Sequence, residues 1–310
     1  MKIGIVGAGA MGCLYGGLLS ASGQDVTLLD IMENHVRAIS ENGLRIEIKS
    51  VDGSVEERIF DSVKATIDPL DIGVVDLAIV FVKSTFTRQA AEGNRALFGP
   101  DTTVLTLQNG MGNVEAISTV VDEKNIIAGT TAHGATMLGP GRIRHAGSGK
   151  TVLGELDGNP SKRVEEIAAM FNLAGLETEV TENVTGLLWD KLLVNVGINA
   201  LTAILEVPNG KLVEIREAEI LLEQAVEEGY KVAMARGIRL NHSDPVAHTK
   251  EVCRATAENR SSMLQDVTSG RKTEIDMING AITREGRAVF IPTPVNELLA
   301  LLIKSKEASK

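Results

Sequence analysis

The chain has 310 residues, enough for two domains with a sizeable core each, and its 44% hydrophobic and 23% charged residues are an ordinary globular composition. A formal net charge of −10, with no run of lysines or arginines, excludes nucleic acid as a partner class and directs attention to small molecules. The two cysteines, Cys13 and Cys253, stand far apart and outside any metal-ligand spacing, and the five histidines form no HExxH pair, so neither a disulfide framework nor a metal is expected.

The N-terminal MKIGIVGAGAMGCLYGGLLSASG has the lysine and apolar run of a secretory signal, but six glycines between Gly4 and Gly17 would weaken the helix of such a segment. A better account starts from the strand KIGIV (2–6), followed directly by Gly7-Ala8-Gly9-Ala10-Met11-Gly12 opening a helix. In that context GxGxxG is a dinucleotide-binding turn: one glycine for the tight turn, one for close approach to the pyrophosphate, one for packing of helix on strand. The helix N-terminus adds free N–H groups for the phosphates. The second strand, DVTLLD (25–30), ends in Asp30, eighteen residues past Gly12. A carboxylate there accepts the adenosine ribose hydroxyls and repels a 2′-phosphate, so NAD(H) is favoured over NADP(H). The same residue is a candidate helix N-cap, and Arg37 nearby could still accommodate a phosphate.

LRIEIKSVDGSVEERIF (44–60) alternates around Asp52-Gly53 and is expected to be an edge hairpin. DLAIVFVK (76–83), TVLTLQ (103–108) and NIIAGTTAH (125–133) are apolar throughout, as in a parallel sheet covered by helices on both faces. Strand ends face the ligand in such sheets, which singles out Lys83 and the run Gln108-Asn109-Gly110-Met111-Gly112 as site candidates. Lys83 is otherwise a loop charge and Asn109 a turn residue. GPGRIRHAGSGKTVLG (139–154) is expected to form antiparallel strands closing the sheet.

Strand signals stop near residue 180. Helical periodicity runs over 182–206, 211–236, 244–267, 274–287 and 294–307, punctuated at Pro208-Asn209-Gly210, Gly237, Gly270, Pro292 and Pro294. The expected organisation is an α/β Rossmann-type dinucleotide-binding domain, residues 1–180, followed by an all-helical substrate domain, residues 181–310. LLWDKLLVNVGINALTAIL (187–205) is apolar almost all round, yet Lys191, Asn195 and Asn199 recur at intervals of four and point together. Buried polar groups without partners are costly, so this stripe is expected to line something polar. A partly desolvated lysine is a candidate general acid. Asn259, Ser262 and Glu274 in ENRSSMLQDVTSGRKTEID (258–276) make no site by spacing alone, and Ser269 and Thr273 read as simple caps. Beyond the N-terminal segment no stretch reaches about 18 uninterrupted apolar residues, so no membrane partner and a cytoplasmic location are expected.

GAGAMG at the N-terminus, then LQNGMGN, TAHGATMLGPGRIRHAG, LWDKLLVNVGINALTAI and NRSSMLQDVTSGRKTEIDMINGAI, in that order, resemble the ketopantoate reductase (2-dehydropantoate 2-reductase) family along nearly the whole chain. The resemblance implies a Rossmann domain and a helical domain with the site in the cleft. It also implies reduction of ketopantoate to D-pantoate, on the route to pantothenate and coenzyme A. Lys191 resembles the family's general acid and Glu274 the carboxylate that helps hold the substrate and position that lysine. Asn109, Asn195, Asn199, Asn259 and Ser262 resemble its substrate-binding polar groups, and Lys83 a cofactor contact. Family members commonly prefer NADPH and carry an arginine past the second strand, where this chain has Asp30-Ile31. Some relatives resemble NAD-dependent D-2-hydroxyacid dehydrogenases acting on branched or aromatic 2-oxo acids, which is the alternative substrate class. A dinucleotide sensor without turnover would lack the lysine or the glutamate. The expected partner is a small 2-oxo acid; a homodimer is allowed by the sequence but not specified by it.

Overall fold

The computed structural model describes residues 1–49 and 55–309. The chain divides into two compact units, Met1–Gln108 with Asn113–Val184, and Asn109–Gly112 with Thr185–Lys310.

The first unit contains β1 (Lys2–Val6), α1 (Ala10–Ala21), β2 (Asp25–Leu29), α2 (Glu33–Asn42), β3 (Leu44–Lys49), β4 (Val55–Phe60), β5 (Lys64–Thr66), β6 (Leu77–Val80) and α3 (Thr87–Gly93). It continues with β7 (Thr103–Thr106), α4 (Asn113–Ile117), β8 (Ile126–Thr131), β9 (Gly134–Gly139), β10 (Arg142–Gly147), β11 (Thr151–Glu155), α5 (Lys162–Leu173) and β12 (Thr178–Val180). The apolar segments form an eight-stranded sheet in the order β12-β11-β8-β7-β6-β1-β2-β5. Every neighbouring pair is parallel except β8 with β11. Strand order reverses at β1, flanked by β2 and β6, so the carboxyl ends of β1 and β6 form the crevice where such sheets bind ligands.

The hairpin differs from its expected position. β3 and β4 pair antiparallel, but not on the edge of this sheet: they belong to a second sheet of order β4-β3-β10-β9, in which β10 runs parallel to β3. The Asp52-Gly53 turn lies outside the described residues. Of the 139–154 run, only β11 joins the large sheet, while β10 pairs with β9 in the small one. Glu47, nearly buried, fixes β10 beside β3 by accepting from Arg142 at 2.7 Å and from Arg144 at 2.8 Å.

The second unit is helical, with α6 (Val184–Leu205), α7 (Arg216–Ala235), α8 (Pro245–Ala255), α9 (Ser262–Thr268), α10 (Asn279–Ala288) and α11 (Pro294–Ala308). By length and composition α6 could cross a membrane, but most of it is buried inside the protein. Gly197 lets it pack tightly, because a Cβ there would lie 2.8 Å from Val226 on α7 and 3.0 Å from Thr249 on α8. The single helix expected over 244–267 is instead two, broken at residues 256–261. The Ala257 and Asn259 carbonyls accept from the N–H groups of Gly210 and Asn209, and Ser261 caps α9 through the Leu264 N–H.

Candidate active site

Each glycine of the β1–α1 turn has a distinct environment. Gly7 adopts φ +99°, and a Cβ there would lie 2.7 Å from the Val82 nitrogen beyond β6. At Gly12 a Cβ would lie 2.0 Å from the Gly7 carbonyl oxygen, so α1 can start this close to β1 only with glycine. Gly9 has nothing within 4 Å of the equivalent position, and no side chain caps α1 there. An open, uncapped helix start above a glycine turn fits a pyrophosphate in shape and in charge.

Asp30 reaches this turn directly. One carboxylate oxygen accepts from the Ala8 N–H at 2.8 Å, the other from the Met32 N–H at 3.0 Å. It therefore braces the loop and is not the N-cap of α2, which is Met32. Each oxygen retains acceptor capacity for a ribose hydroxyl. Beneath the loop, the buried Cys13 thiol donates to the Ala8 carbonyl at 3.1 Å and lies 3.4 Å from His35 Nε2. His35 Nδ1 accepts from the Gly141 N–H, which makes Nε2 the donor to the sulfur. Burial pushes the Cys13 thiol well above its ordinary range, so it serves as a loop tether and not as a nucleophile.

Lys83 is half-buried and precedes a 3₁₀ turn over Ser84–Phe86, at the carboxyl end of β6. Gln108, after β7, is buried: its amide donates to the Val82 carbonyl at 2.6 Å and to Thr87 Oγ1 at 2.8 Å. It fastens the ends of β6 and β7 together. The next four residues, Asn109–Gly112, belong to the helical unit, where the Met111 N–H donates to the Met277 carbonyl at 2.9 Å. Asn109 is half-buried on that loop.

On α6, Lys191 and Asn195 are half-buried and Asn199 is 5% exposed. Desolvation pushes the Lys191 ammonium down to about 8, and the neighbouring Glu274 carboxylate opposes that fall. Glu274 is half-buried and N-caps a 3₁₀ turn over Ile275–Met277. Thr273 braces this turn, its hydroxyl accepting from the Ile275 N–H at 3.2 Å and its own N–H donating to Glu307 at 2.7 Å. Asn259 and Ser262 are exposed, on the loop before α9 and at its first residue. The bond from this region to α6 is made by Ser261, which accepts from Thr202 at 2.7 Å. Sequence reasoning missed Ser261; its place before an apolar run was the available signal. Among the described residues no group of three or more His, Cys, Asp or Glu side chains could hold a metal.

A dinucleotide turn on a parallel sheet and a desolvated lysine beside a carboxylate on a helical unit define a two-domain, Rossmann-type nicotinamide oxidoreductase. Residues 3–158 match the family model for ketopantoate reductase PanE/ApbA, and residues 183–307 match the model for its C-terminal domain. The chain is 42% identical over 311 residues to the 2-dehydropantoate 2-reductase of Pyrococcus horikoshii, covering 99% of this chain and 98% of the relative. It is 40% identical over 305 residues to that of Halobacterium salinarum, covering 98% of each. The solved structure of D-mandelate dehydrogenase with NADH and anilino(oxo)acetate is similar at a TM-score of 0.92 and 32% identity, covering 100% of this chain and 99% of that one. The chain belongs to the ketopantoate reductase family.

Proposed function

We propose that the protein reduces 2-dehydropantoate to D-pantoate, in pantothenate and coenzyme A biosynthesis, with residues 1–180 holding the dinucleotide and 181–310 the substrate. The observation that carries this reading is the Lys191 ammonium, desolvated and faced by Glu274. When bound, the nicotinamide cofactor supplies a hydride to the carbonyl carbon. Lys191 donates a proton from Nζ to the carbonyl oxygen, so the ketone gains the hydride, with its two electrons, at carbon and one proton at oxygen, and leaves as the alcohol. The neutral amine then recovers a proton from solvent. Glu274 keeps the amine charged until transfer and orients it.

Asn109, Asn195, Asn199, Asn259 and Ser262 are assigned to the substrate's carboxylate and hydroxyl groups. Gly7 to Gly12, Asp30, Lys83 and Asn109 are assigned to the dinucleotide. Asp30 supports NADH, because a carboxylate at the end of the second strand accepts ribose hydroxyls and repels a 2′-phosphate. The protein acts in the cytoplasm on a small molecule.

Asp30 also favours a second reading: an NADH-dependent D-2-hydroxyacid dehydrogenase taking a branched or aromatic 2-oxo acid, as the likeness to the D-mandelate enzyme suggests. The amides of Asn195 and Asn199 favour the hydroxylated substrate, since an apolar side chain would leave them unpaired. Loss of reduced-nicotinamide absorbance, with NADH and NADPH in turn against ketopantoate, 2-oxoisovalerate and phenylglyoxylate, separates the two. Turnover confined to ketopantoate is expected; preference for either other acid would replace the first reading with the second.

A further inference from the structure

Asn279 is fully buried at the start of α10, immediately after the turn that Glu274 caps. Its Nδ2 donates in two directions, to the Val196 carbonyl on α6 at 3.2 Å and to Asn296 Oδ1 at 3.0 Å. Val196 adjoins Asn195 and lies five residues beyond Lys191. Asn296, itself fully buried, donates to the Ala225 carbonyl at 3.0 Å and to Glu228 Oε2 at 2.8 Å. Glu228 in turn accepts from the Val295 and Asn296 N–H groups, at 2.9 and 3.0 Å, and so closes the start of α11. A polar chain thus runs from α11 and α7 through Asn279 to the backbone of the lysine-bearing helix.

Two residues before Asn279, the Met277 carbonyl accepts from the Met111 N–H at 2.9 Å. Gly110, at φ +79°, packs so closely there that a Cβ would lie 2.7 Å from the same oxygen. The short span from Glu274 to Asn279 therefore ties together the carriers of Glu274, of Lys191 and Asn195, and of Asn109.

Asn279 Oδ1 is buried and has no partner among the described residues. An orphaned buried acceptor destabilises a fold, and an aliphatic side chain of similar size would remove that penalty. A residue present for stability alone has no reason to carry it, whereas one needed for the aim of its Nδ2 does.

We propose that Asn279 is a positioning residue for proton transfer: by pinning the Glu274 turn to α6 it fixes the separation of the Glu274 carboxylate from the Lys191 ammonium. This rests on the reading of Lys191 as the proton donor. Glu274 is the charged group that acts on Lys191, so letting the turn drift away lowers the lysine's proton affinity.

The test compares the wild-type protein with Asn279→Leu and Asn279→Ser, each also in the Glu274→Gln background. Readouts are kcat and KM for ketopantoate from pH 6 to 10, dinucleotide affinity by fluorescence, and the titration of Lys191 by NMR of ¹³C-labelled lysine. Lys191→Met assigns the signal. In Asn279→Leu we expect kcat to fall roughly tenfold or more, with KM and dinucleotide affinity within about threefold. The Lys191 titration should move to lower pH, and both effects should largely vanish once Glu274 is already Gln. A folded Asn279→Leu with unchanged Lys191 titration, or losses that simply multiply those of Glu274→Gln, would overturn the proposal. Should Leu prevent folding, Asn279→Ser, smaller and without the amide, is judged by the same two criteria. The NMR readout needs no turnover: absence of ketopantoate reduction by the wild type defeats the functional reading, while a shifted Lys191 titration in the variants still supports the positioning role.

Discussion

Burial and Glu274 pull the Lys191 ammonium in opposite directions, and burial prevails, leaving it at about 8. The proposed role of Lys191 as proton donor requires it to be charged, so the rate of reduction is expected to be level below that value and to fall tenfold per pH unit well above it. Glu274→Gln removes the group that favours the charged amine. An opposite charge at short range moves a pKa by about 1–3 units, so the alkaline limb of kcat should shift to lower pH by about one unit or more, with a loss of turnover. A pH profile measured from 6 to 10 checks both. An alkaline limb that stays in place in Glu274→Gln would remove that carboxylate from control of the lysine.

The glycines of the dinucleotide turn divide by what surrounds them. At Gly9, with φ −63° and nothing within 4 Å of a Cβ, alanine meets no obstacle in the protein itself. Gly9→Ala should keep the wild-type Tm without ligand and lose about tenfold or more in dinucleotide affinity, because in the proposed reading the methyl group would stand where the pyrophosphate approaches. Gly12→Ala forces a Cβ to 2.0 Å from the Gly7 oxygen, so it should lower Tm as well as affinity. Thermal scans and fluorescence titrations of the two variants test this contrast. Equal loss of Tm in both would mean that Gly9 is a structural glycine.

Local pattern made the Rossmann core and the helical half legible, because strands that are apolar on both faces and helices of period 3.6 announce themselves within ten or twenty residues. Pairing across long separations was not legible. β10 chooses β3, about a hundred residues earlier, and the alternation of RIRHAG is the same whichever sheet receives it. The break at residues 256–261 carries no proline or glycine; it is set by the N–H groups of Asn209 and Gly210, some fifty residues upstream. The site divides in the same way. Lys191, Asn195 and Asn199 showed themselves as a polar stripe on an apolar helix, whereas Glu274 owed its selection to resemblance, since an acid at a helix start is ordinary. Asn109 was read with the strand it follows, but its loop is held by Met277 of the helical unit.

Asp30 braces the turn and, in the proposed reading, also carries the charge that discriminates between dinucleotides; Asp30→Asn separates the two roles. The amide oxygen can still accept from the Ala8 N–H, so the turn stays tied, while the negative charge and the bond from the Met32 N–H are lost. Hydrogen bonds to a charged group contribute about 1.5–3 kcal/mol, so NADH affinity should fall roughly tenfold or more. NADPH affinity should rise, since its 2′-phosphate no longer meets a carboxylate. Dissociation constants for both, from nicotinamide fluorescence, decide the matter. An unchanged ratio of the two would show that Asp30 does not set cofactor preference.

Phe290 is a substitution target for stability. It ends α10 in the left-handed region, φ +58°, with its N–H directed to the Arg287 carbonyl and the Ile291 N–H to that of Gly286. This is the Schellman arrangement, whose left-handed position is normally glycine. Phe290 is 93% exposed, so its ring contributes almost no packing to offset the strain. Left-handed geometry costs a bulky residue about 1–2 kcal/mol, and the added freedom of glycine in the unfolded chain takes back about 0.5–1 kcal/mol. Phe290→Gly should therefore stabilise the helical unit by up to about 1 kcal/mol, read as a Tm increase of a few degrees with activity intact. A lower Tm in Phe290→Gly would mean that the ring is covered in solution by a contact that the isolated chain lacks.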